Sequence, residues 1–144
     1  MTGEQVDSIA TRFGIDEPDR DLTGPALIGL GTDWQISPLH MARAYLELTH
    51  MRDQPGVHEL LEGMEQSARE GTGAGVGRAL RNVSALVKTG TAPCTHANPA
   101  PGDGFVVALV PANEPELLLM IRVHGVPGAK ASITAGLMLK SIEE

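Results

Sequence analysis

Residues 85–93 read Ala85-Leu-Val-Lys-Thr-Gly-Thr-Ala-Pro93, a short apolar run that leads into Lys88-Thr89-Gly90-Thr91. Similar apolar runs cover 83–88, 104–110 and 117–124, separated by loops that contain Pro and Gly. Their length and their Val and Leu content predict three strands. Pro111-Ala-Asn-Glu-Pro115 joins the last two and is short enough for a hairpin, so antiparallel pairing is the simplest arrangement. Farther on, Ala131, Ala135, Leu137, Met138 and Ile142 predict a C-terminal helix over 129–142 that covers one face of the sheet.

The first half of the chain reads as helices and loops. Thr2 and Gln5 have capping-box spacing, and Val6, Ile9, Ala10 and Phe13 form an apolar stripe, which predicts a helix over 2–13. From Ile15 to Asp33, Pro18, Gly24, Pro25, Gly29 and Gly31 interrupt every periodicity and predict a long loop. Ser37-Pro38 places an N-cap before a proline at the first helical position, and Leu39, Ala42, Tyr45 and Leu46 continue a helix to about residue 50. A further helix is expected over 56–70, with Gly71 at its C-terminus. Gly71-Thr-Gly-Ala-Gly-Val-Gly77 carries four glycines, and no regular structure is expected there. The expectation is an α+β single domain over 1–144, with helices and loops in 1–80 and strands plus the C-terminal helix in 81–144.

Composition narrows the function classes. A chain of 144 residues with 42% hydrophobic content has enough apolar material for one core. With only one Trp, one Tyr and two Phe, that core must be aliphatic. Eleven basic against 18 acidic residues give a formal charge of −7, which opposes binding to a phosphate backbone, so no nucleic-acid partner is expected. The single cysteine, Cys94, excludes an intramolecular disulfide. No basic and apolar leader opens the sequence, and no stretch approaches the ~18 apolar residues needed to span a bilayer, so any export signal or anchor is expected on another segment.

Several motifs are eliminated by context. The run 71–77 nearly fits a Gly-x-Gly-x-x-Gly pattern, but a dinucleotide loop follows a strand, and here a helix is expected before it. Cys94 and His96 offer two metal ligands without the second pair a structural zinc site requires, so no metal or cofactor is expected. His40, His50, His58 and His124 form no evident triad with a serine and an aspartate. Lys88-Thr89-Gly90-Thr91 survives this elimination. It offers an ammonium, two hydroxyls, and a glycine that lets a ligand approach the backbone as an added strand.

Lys-Thr-Gly is one of three motifs that together mark penicillin-binding proteins and serine β-lactamases. The flanks resemble the C-terminal half of the penicillin-binding protein transpeptidase domain. In order along the chain, the landmarks are residues 29–45, with Ser37-Pro-Leu-His-Met-Ala42, then Gly63-Met64 and Gly71-Thr-Gly73, then Val87–Ala92, then Gly104-Phe-Val-Val-Ala-Leu-Val-Pro-Ala112. The resemblance implies a partial β-lactamase/transpeptidase-like fold and acyl transfer by a serine that attacks a D-Ala-D-Ala carbonyl, with β-lactams trapped at the acyl stage. It implies that Lys88 supplies positive charge near the substrate carboxylate, that Thr89, Gly90 and Thr91 bind that carboxylate, and that the Thr91 N–H is one of two oxyanion donors.

The other two motifs are missing. Ser8, Ser37, Ser67, Ser84, Ser132 and Ser141 are followed three residues on by Thr11, His40, Glu70, Val87, Ala135 and Glu144, so there is no Ser-x-x-Lys, and no Ser-x-Asn occurs. The expectation is a C-terminal transpeptidase fragment, inactive alone, of an extracytoplasmic parent protein. Its partners would be peptidoglycan stem peptide in the complete domain, and the missing N-terminal half or a second copy at an exposed sheet edge. The alternative is a non-catalytic peptide- or protein-binding module that reuses the fold.

Overall fold

The computed structural model describes residues 3–15, 34–93 and 102–143. Residues 16–33, most of the expected loop, and 94–101, which include Cys94 and His96, lie outside them. The chain divides into two compact units, Met1–Met51 and Arg52–Glu144.

The first unit carries α1 (Gly3–Arg12) and α2 (Pro38–His50). Val6 and Ala10 of α1 and Ala44 of α2 are buried. Ser37 caps α2 as its sequence predicts: its backbone is extended (φ −66°, ψ 145°), and its hydroxyl accepts the His40 N–H at 3.2 Å.

The second unit is a three-stranded antiparallel sheet of order β1-β2-β3 with helices packed on it. Its elements are α3 (Val57–Glu70), α4 (Ala74–Leu80), β1 (Leu86–Ala92), β2 (Asp103–Val110), β3 (Leu117–Val123) and α5 (Gly128–Glu143). Side chains alternate across the sheet, so Val87, Val106 and Ala108 share one face, and there Ala131, Ala135 and Leu139 of α5 pack against them. Those six side chains are all at most 1% exposed, so the helix-covered face holds the core of the unit. Leu86 and Leu109, which face each other across β1 and β2, are buried on the opposite face.

The Gly-rich run departs from expectation: it opens α4, a helix of seven residues. Packing overrides the low helix propensity of glycine because this helix sits where side chains would not fit. A Cβ at Gly75 would lie 2.5 Å from Ile133 N and Ser132 Oγ of α5, and one at Gly136 of α5 would lie 2.5 Å from Gly75 O. The two helices meet backbone to backbone. α4 ends at Arg81, whose φ of 51° and ψ of −67° form a γ-turn closed by Asn82 N–H to Leu80 O at 2.6 Å. Among the described residues, no helix is long and apolar enough to cross a membrane.

Candidate functional site

β1 is an outer strand of the sheet among the described residues, bonded only to β2. It runs through the tetrapeptide rather than ending at Lys88, because every residue from Leu86 to Ala92 finds a partner, the last being Asp103. Lys88 and Gly90 therefore lie on one face, with Thr89 and Thr91 on the other, where α5 packs.

Each polar group in the tetrapeptide has a defined setting. Lys88 is exposed, and its ammonium donates to Thr89 O at 2.7 Å. Among the described residues it has no carboxylate partner, so its remaining protons and its charge are available to a ligand. Thr89 Oγ1 lies 2.5 Å from Thr72 Oγ1, in the turn between α3 and α4. Thr91 Oγ1 accepts the Gly128 N–H at 3.0 Å. That amide belongs to the first residue of α5 and has no partner within its own helix. A hydroxyl that accepts from a helix N-terminus is polarised toward donating its own proton.

Gly90 is set between two different neighbours. On one side the start of α5 presses on its backbone, since a Cβ at Gly128 would be 2.5 Å from Gly90 O. On the other, a Cβ at Gly90 itself would meet nothing nearer than Phe105 Cβ at 3.9 Å. Packing within the described residues therefore explains why Gly128 has no side chain, and leaves Gly90 unexplained.

An ionic cluster around one buried carboxylate stands beside the end of β1, and sequence reasoning missed it. Asp103, opposite Ala92, is 1% exposed. Its Oδ2 accepts from Arg122 Nε at 2.7 Å and from Arg122 Nη2, while its Oδ1 accepts the Gly125 N–H at 3.1 Å and lies 2.9 Å from His124 Nδ1. The Arg122 hydrogen bonds, followed by the Gly125 N–H, lower its carboxyl pKa to about 2. Arg122 also stands 5.8 Å from the centre of the Phe105 ring, across the strand pair. The available signal was an acidic residue opening a run as apolar as Gly104–Val110. The His124 side chain is 59% exposed while tethered to this cluster.

No protein-family model matches this chain, and no curated protein matches it. The site rests on its own chemistry. It combines an exposed cationic head, two hydroxyls braced from behind, and, among the described residues, an outer strand with an open glycine. Among the described residues, no group of three or more His, Cys, Asp or Glu side chains is placed to hold a metal ion. Thr72 joins the site only in three dimensions, through its contact with Thr89.

Proposed function

We propose that Lys88–Thr91 binds the C-terminal carboxylate of an extended peptide, as the Lys-Thr-Gly strand of a penicillin-binding protein transpeptidase does. The observation that carries this reading is the exposed Lys88 ammonium, which among the described residues has no acidic partner and sits on an outer strand beside an open Gly90. An incoming strand would bond along the edge, and its carboxylate would meet Lys88 and the hydroxyls of Thr89 and Thr91. The Thr91 N–H would serve as one oxyanion donor, a role worth a few kcal/mol to a transition state. With no Ser-x-x-Lys in 144 residues, the nucleophile would come from another segment. The outer edge of β3 is one place for such a segment, or a second copy of this chain, to pair. On this reading the parent enzyme works outside the cytoplasm on peptidoglycan stem peptides and is acylated by β-lactams.

The same missing serine favours a second reading, a module that binds peptide without chemistry. One titration addresses both. A peptide ending in D-Ala-D-Ala should shift the amide resonances of Lys88–Ala92 in the labelled protein, and its C-terminal amide should not. Absence of those shifts would overturn carboxylate binding. Mass spectrometry after exposure to a chromogenic cephalosporin should show no covalent adduct on this chain. An adduct would place a nucleophile within these 144 residues and overturn the divided site.

A further inference from the structure

At the opposite end of β1 lies a separate cleft of about 380 Å³, lined by residues of α3 and α4 and by residues 81–85. Arg69, Arg78 and Arg81 all line it, with Asn82, Ser84 and one acid, Glu65. Three of the eleven basic residues of an acidic chain thus meet around one cleft.

Helix capping does not account for them. The end of α4 is closed by backbone donors: Arg81 N–H to Gly77 O at 3.2 Å, and Asn82 and Val83 N–H to Leu80 O at 2.6 and 3.3 Å. Glu65 pairs with Arg69 at 3.4 Å. The guanidinium groups of Arg78 and Arg81 have no acceptor among the described residues. Arg81 also holds a positive φ that a non-glycine residue adopts at a cost, and such strain concentrates at binding sites.

We propose that this cleft binds a small phosphomonoester through Arg78, Arg81 and Arg69. Three guanidinium groups against one carboxylate leave a local excess of two positive charges, which matches a dianionic phosphoryl group better than a monocarboxylate. Arginine forks pair with its oxygens bidentately. Asn82 and Ser84 supply further donors. The cleft falls in the size range of small-molecule sites and leaves room for the organic part of the ligand. It is distinct from the Lys88 edge, which takes a carboxylate.

The test is an NMR titration of the full chain with inorganic phosphate, glycerol phosphate and acetate, each at matched ionic strength. The expected result is saturable shifts at Arg78, Arg81, Asn82 and Ser84 with both phosphates, and none with acetate. The double variant Arg78→Gln with Arg81→Gln should weaken binding at least about tenfold, the loss expected from even one of its two charge-assisted contacts. Arg69→Gln should weaken it less, and Lys88→Gln should leave it unchanged. Non-saturating shifts, equal binding of acetate, or loss of binding in Lys88→Gln but not in the arginine variants would each overturn the proposal. Circular dichroism of the variants separates lost binding from lost fold.

Discussion

The Gly128 amide donates to the Thr91 hydroxyl at 3.0 Å, joining the first residue of α5 to the outer strand of the sheet. One side chain thereby caps a helix and belongs to the strand of the candidate site. Replacing it with valine keeps the branched shape that suits a strand and removes the acceptor. Thr91→Val should lower stability by about 1 kcal/mol, measured by urea denaturation. Unchanged stability would mean that water replaces the hydroxyl at no cost.

Gly90→Ala separates stability from binding. Among the described residues the added methyl group would meet only Phe105 Cβ at 3.9 Å, ordinary contact, and the strand would gain roughly 0.5–1 kcal/mol from reduced freedom of the unfolded chain. A peptide lying along that strand would meet the methyl directly. The expected outcome is an equal or higher melting temperature together with weakened binding of the D-Ala-D-Ala peptide.

Gly75→Ala should do the reverse. Its Cβ would lie 2.5 Å from the α5 backbone, which cannot swing aside as the end of a side chain can. Overpacking of this kind costs about 1–3 kcal/mol. Denaturant unfolding should register the loss, and Gly63→Ala, whose Cβ meets nothing within 4 Å, is the matched control.

Asp103 predicts an acid limb in the stability curve. Its pKa is lowered from 3.8 to about 2 by Arg122 and the Gly125 N–H, so the native state favours the ionised form. Its contribution is complete above 3.8 and is lost as pH falls through about 2. Asp103→Asn should be less stable than the parent at neutral pH and should show a smaller drop over that acid window in urea titrations.

Arg81→Gly should raise stability by about 1 kcal/mol, because glycine holds a positive φ without the Cβ clash. A thermal melt of the single variant checks this.

Much of the fold was legible because local signals agreed with packing. The Ser37-Pro38 cap, the apolar strands and the short loop 111–115 each specified an element that formed. The seven-residue helix at 74–80 was not, because its support is the α5 backbone, far along the chain, and nothing in a glycine run announces a neighbour that close. In the candidate site, residue types identified Lys88, Thr89, Gly90 and Thr91. Thr72, Gly128 and the Asp103 cluster were hidden because their roles arise from contacts across 17, 37 and 19 positions.

The backbone contact between Gly75 and Gly136 also orders events in folding. Seven residues are too few for a helix to persist alone, where about 12–15 are needed, and glycine lowers the odds further. The persistence of α4 should therefore depend on an α5 in place on the sheet. In a native-state hydrogen-exchange experiment its amides should open before those of β2, and during refolding they should be protected after the three strands have paired.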